Sequence, residues 1–119
     1  MKYLLINKDA CLKALTQKVL GDLVPIVSDC IDKSERACNN RKSAYNLNYF
    51  KDLECCGRKY SVELTTDLAP NSYRQIIQGN ETRFVGVSTM EIRRIDYKNN
   101  VSLLVFNSQL NITMLENLW

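Results

Sequence analysis

The spacing of apolar residues changes period near Gly57, and that change constrains the fold of the 119-residue chain more than any other feature. Before Gly57, apolar side chains recur every three or four residues, as on one face of a helix. After it they alternate, as on one face of a strand. A chain patterned in this order reads as α+β, with two or three N-terminal helices packed on a C-terminal curved antiparallel meander of about five strands. The length suits a single domain covering residues 1–119.

In the first half, Leu12, Leu15, Val19 and Leu23 form one stripe, widened by Ala14, Leu20 and Val24. Asn7 or Asp9 is the expected N-cap, because a short side-chain oxygen accepts hydrogen bonds from the first unpaired helix amides. Pro25 ends this helix and suits the first turn of the next. The second stripe, Val27, Cys30, Ile31, Ser34, Ala37 and Cys38, uses small side chains that favour close packing, and Asn39-Asn40 closes it. A third helix is expected over Ser43–Glu54, with Leu47, Phe50 and Leu53 on one side and Tyr45 and Tyr49 on an adjacent strip.

After Gly57, Tyr60, Val62 and Leu64 alternate with Ser61, Glu63 and Thr65. Asp67–Ser72 reads as a turn, and Tyr73–Gln78 as a strand that Gly79-Asn80 turns into a partner at Arg83–Val87. Met90–Tyr97 and Val101–Phe106 flank Asn99-Asn100, a pair suited to a type I′ turn. Asn107-Ser108 is then expected to turn the chain into a last strand around Leu110, Ile112 and Met114. The run Ile92-Arg93-Arg94-Ile95 breaks alternation and predicts a β-bulge.

Composition narrows the function classes. The chain has no histidine and only four glycines. It therefore lacks the commonest general base and metal ligand, and it shows no Gly-rich phosphate loop. Cys11, Cys30, Cys38, Cys55 and Cys56 form no C-x₂₋₄-C pair of the kind zinc sites use. The adjacent pair Cys55-Cys56 reads as packing, one thiol under the sheet and the other toward a helix end. The carboxylates Glu63, Asp67, Glu91 and Asp96 read as surface at strand ends. A non-enzymatic protein without cofactor or metal is the expectation. The apolar run at the N-terminus stops at Ile6, too short for a secretory leader, so a cytoplasmic protein with reduced thiols is expected.

Two sets of side chains carry the binding expectations. Tyr and Arg dominate interface hot spots, and Tyr45, Tyr49, Arg93, Arg94 and Tyr97 make the protein-binding set. The basic excess lies in the first half, where eleven Lys/Arg against seven Asp/Glu precede Tyr60. Within it, Arg36, Arg41, Lys42, Lys51, Arg58 and Lys59 make an alternative RNA- or single-stranded-DNA-binding set, diluted by interspersed acids. A small-ligand site inside a curled sheet is a third alternative. The favoured reading is an inhibitor or accessory protein of the immunity or phage counter-defence type, which occludes or bridges a macromolecular partner. An edge strand at Leu110–Leu115 would offer pairing to a partner or a homodimer.

Overall fold

The computed structural model describes residues 2–18, 20–40, 46–67, 74–79 and 81–116. Their elements run β1 (Lys2–Ile6), α1 (Asp9–Gln17), a 3₁₀ turn (Gly21–Leu23), α2 (Val24–Asn39), β2 (Asn46–Cys55), β3 (Arg58–Asp67), β4 (Arg74–Gln78), β5 (Glu81–Asp96) and β6 (Val101–Glu116). The fold is α+β, with helices on one face of a curled antiparallel sheet.

The helices follow the apolar stripes. In α2 the stripe Val27, Cys30, Ile31, Ser34 and Cys38 is buried, with Pro25 in the first turn. α1 is shorter than its stripe predicts and ends at Gln17. Leu23 is buried from the 3₁₀ turn instead, and Val19 lies outside the described residues. The residue preceding α1 is Lys8, without a capping side chain. Asn7 acts one step earlier, where its Oδ1 accepts the Asp9 N–H at 3.2 Å.

The expected third helix is the strand β2. Leu47, Phe50 and Leu53 fit a helical spacing, but Tyr49, Lys51 and Leu53 equally share one face of a strand. The adjoining hairpin decides between them. Cys56 and Gly57 both take positive φ, +54° and +73°, as a two-residue type I′ turn requires. That turn sets Cys55 opposite Arg58 and zips β2 onto β3 as far as Asn46↔Asp67.

The path of the sheet is β1-β6-β5-β3-β2, and β4 also pairs with β5. β3 and β4 share one side of β5, against Ser88–Ile95 and Glu81–Val85 respectively. β5 is one sixteen-residue strand where the sequence reading divides it in two. Ser88 sits buried in its middle, its hydroxyl 2.8 Å from that of Thr66, so a polar residue continues the strand with its bonding satisfied. β6 likewise runs through Asn107-Ser108 without turning. The expected bulge is present opposite Ile92/Arg93, with Val105 of β6 as the extra residue. The turn between β5 and β6 spans Tyr97–Asn100, and of the expected Asn99-Asn100 pair only Asn100 has positive φ.

The core lies between the helices and one face of the sheet. Leu15, Val27, Cys30, Val62, Leu64, Met90 and Ile92 are wholly excluded from solvent there. Burial pushes the Cys11 and Cys30 thiols up in pKa, as desolvation disfavours a thiolate. The opposite face carries Glu63, Thr65, Thr89, Glu91, Arg93, Asn107 and Gln109 and is largely polar.

β1 is an outer strand whose edge is covered. Asn39 of α2 accepts the Leu4 N–H through Oδ1 at 2.7 Å and donates Nδ2 to the Leu4 carbonyl at 3.0 Å. Its amide thus copies a neighbouring strand. Glu35 accepts the Ile6 N–H at 2.8 Å, and Lys8 reaches Ser28 and Asp32 at 2.9 and 2.8 Å. The expected outer strand at Leu110–Leu115 is corrected by this arrangement, since β1 lies along Ile112–Glu116. Among the described residues, no helix is long and apolar enough to cross a membrane.

Candidate functional site

Two turns meet at one end of the sheet. Because Lys59 pairs with Ile95, the β2–β3 turn lies beside the end of the long β5–β6 hairpin. The helical layer reaches the β2–β3 turn through Asp22 but leaves the start of β6 uncovered, so Val101 and Leu103 are exposed even though they share the helix-side face with buried Phe106. Leu104 is 48% exposed on the other face, and Tyr97 at the turn is 67% exposed.

Between the turns is a shallow depression of about 350 Å³, lined by Gly57, Arg58, Lys59, Arg94, Ile95, Asp96 and Tyr97. Lys59 Nζ lies 4.7 Å from the centre of the Tyr97 ring, within cation–π range. Asp96 is occupied by its own turn. Its carboxylate accepts the Lys98 and Asn99 N–H groups at 3.1 and 3.3 Å and the Asn99 Nδ2 at 2.9 Å. These bonds, led by those from Asn99, hold its carboxyl below the usual aspartate range. Arg58, Lys59, Arg94 and Tyr97 thus line one depression, with Lys59 over the Tyr97 ring and the one acid already engaged.

The predicted residues divide among separate places. Arg94 and Tyr97 of the protein-binding set meet Arg58 and Lys59 of the nucleic-acid set in this depression. Arg93 points to the opposite face, as alternation requires, and bonds Glu91 at 2.7 Å. Tyr49 packs half-buried against the core from β2. Lys51 and Arg36 lie close enough to Asp29 to act on its charge, although Lys33, at 2.8 Å, is the main group holding the Asp29 carboxyl low. The cationic set is thus split between the α2–β2 seam and the β2–β3 turn, with Lys51 about 13 Å along β2 from Cys55. Tyr45, Arg41 and Lys42 lie outside the described residues.

The vicinal cysteines meet the packing expectation in part: Cys55 packs against the core without being fully buried, and Cys56 turns toward Asp22 at the start of the helical layer. Cys55 is half-buried and Cys56 exposed, because the type I′ turn lifts the second thiol off the sheet. The two sulfurs are 3.7 Å apart, and Cys56 Sγ donates to Asp22 Oδ2 at 3.3 Å. That bond, with the neighbouring thiol, pushes the Cys56 pKa up to about 11. An exposed thiol kept protonated is the reverse of an activated nucleophile. Among the described residues, no three His, Cys, Asp or Glu side chains are placed to hold a metal ion.

Sequence reasoning missed Leu103, whose exposure depends on how far the helical layer reaches, and Leu104, which stands on the face the helices do not cover. It also missed that Glu63 and Glu91 stand directly opposite each other on the polar face. Alternation signals that each strand has a polar face, but only register brings the two carboxylates together. No protein-family model, curated protein or solved structure matches this chain.

Proposed function

We propose that the protein is a non-enzymatic protein-binding module that works through its hairpin end and occludes or bridges an acidic surface of its partner. The observation that carries this reading is the meeting of Arg58, Lys59, Arg94 and Tyr97 in one open depression beside exposed Val101, Leu103 and Leu104. Arg and Tyr next to apolar side chains supply charge-assisted hydrogen bonds, large contact area and water exclusion, the combination that concentrates binding energy. The chemistry suits an inhibitor or accessory protein, which needs a rigid surface and no reacting group. β strands joined by short turns provide that rigidity.

The test is affinity capture from source-cell lysate, with and without nuclease, using the wild type and the separate variants Tyr97→Ala and Arg94→Ala. One stoichiometric protein that survives nuclease and weakens by ~2 kcal/mol in each variant supports the reading. The same protein bound equally well by both variants contradicts it. A partner lost on nuclease treatment would transfer the surface to RNA or single-stranded DNA, with Tyr97 as a stacking ring and an affinity that falls steeply with salt.

A further inference from the structure

We infer that the outer edge of β6, from Val101 to Leu110, pairs antiparallel with the same edge of a second copy. The inference goes beyond the proposed partner binding: it assigns the exposed Val101, Leu103 and Leu104 to a second copy and leaves Arg58, Lys59, Arg94 and Tyr97 to the partner. Among the described residues, β1 covers β6 only from Ile112 onward, with one further bond from the Asn7 N–H to the Asn111 carbonyl at 2.9 Å. Between Val101 and Leu110 no described strand lies along β6 on the side away from β5.

The chemistry of this edge selects its occupant. From Asn99 to Leu115 the sequence has no charged residue, the longest such run in the chain. Soluble proteins commonly place charges on an open edge to prevent pairing. Here the molecule as a whole carries +3, yet two copies meeting along β6 bring no like charges together there. Val101, Leu103 and Leu104 are 41%, 44% and 48% exposed along the edge, on both faces, so pairing would cover apolar surface.

The bulge selects the register in which the edge complements itself. Leu103 shares the helix-side face with Phe106, Ser108 and Leu110, while Ser102 and Leu104 share the polar face with Asn107 and Gln109, because Val105 shifts the alternation by one. A two-fold axis at the Val105–Phe106 peptide then sets Val101 opposite Leu110, Leu103 opposite Ser108 and Leu104 opposite Asn107 of the other copy. Every pair falls on matching faces. Without the extra residue, this register would set opposite faces against each other. The assembly also closes at two copies, because α2 side chains cover the edge of β1 and β2 carries Lys51, Asp52 and Glu54.

Analytical ultracentrifugation of the full chain across a wide concentration range tests the inference, with Leu103→Lys, Leu104→Lys and, on β2, Phe50→Lys compared against it. All three positions are exposed, and melting curves identify any variant that fails to fold. The expected result is a monomer–dimer equilibrium that each β6 variant weakens by about tenfold or more, since a two-fold places every substitution in the interface twice. Phe50→Lys should leave it unchanged. A wild type that stays monomeric up to its solubility limit overturns the inference without reference to any variant. So does a dimer that folded β6 variants leave intact, or one that Phe50→Lys abolishes.

Discussion

Among the described residues, β2 and the first half of β6 are both long strands with no strand along one side, and the chain equips them in opposite ways. β2 carries Lys51, Asp52 and Glu54 within five residues of its end at Cys55, so a second copy laid along it would meet charge on both faces. β6 carries none, and it exposes Leu103 and Leu104. β1 shows a third solution, in which Asn39 and Glu35 of α2 satisfy its backbone directly. An uncharged open edge next to two protected ones is a feature that solubility alone does not favour, because exposed strand backbone is a template for pairing. The difference places the uncharged, unpaired stretch of strand at the β5–β6 end.

The most disruptive way to break this contrast is to remove the charges of the protected edge. The triple variant Lys51→Thr, Asp52→Thr, Glu54→Thr gives the protein a second uncharged edge. With pairing available on both sides of the sheet, the closed pair should become an open-ended assembly visible by light scattering. Scattering no larger than that of the wild type would show that charge does not protect β2.

The next largest effect is expected at β1. Asn39→Ala leaves the Leu4 N–H and carbonyl without their side-chain partners. It should destabilise the fold by about 2 kcal/mol in urea unfolding, the scale for partly buried backbone groups that lose their bonds. It should also speed amide exchange at Leu4. An unchanged midpoint would mean that Asn39 only decorates the edge.

How much of this contrast is legible in the sequence depends on how local its causes are. The α2 stripe is legible because Val27, Cys30, Ile31, Ser34 and Cys38 repeat the helical period within one segment. β3 is legible from the alternation of Tyr60, Val62 and Leu64. β2 is not, since Leu47, Phe50 and Leu53 satisfy a helical period, and the Cys56-Gly57 turn that overrides it lacks the Asn-Gly signature of its class. The strand character of Lys2–Ile6 comes from a partner more than a hundred residues away, Ile112–Glu116, so nothing local announces it. Asn107-Ser108 looks like a turn by residue type, but its side chains simply occupy opposite faces of a continuous strand. At the candidate site, the value of Arg94 and Tyr97 is legible from residue chemistry. Their meeting with Arg58 and Lys59 is a product of register.

The smallest expected effect concerns pH at the hairpin turn. The Asp96 carboxyl is held low by its bonds to Asn99 and Lys98, so those bonds stabilise the turn most fully above the ordinary aspartate pKa. The contribution fades as pH falls through the lowered folded value, below about pH 4. Amides of Tyr97–Asn100 should therefore loosen on acidification before the core does, as followed by NMR chemical shifts, and Asp96→Asn should flatten that response. A turn that responds identically in both proteins would remove Asp96 as its brace.

The central claim is that the β6 edge is open in the single chain and closed by a second copy. Hydrogen–deuterium exchange at low and high protein concentration reads both halves of it at once. The account predicts that added protection at high concentration is confined to Val101–Leu110, while β1 and β2 exchange at rates independent of concentration. Protection that gathers along β2, or exchange in Val101–Leu110 that ignores concentration, would contradict it.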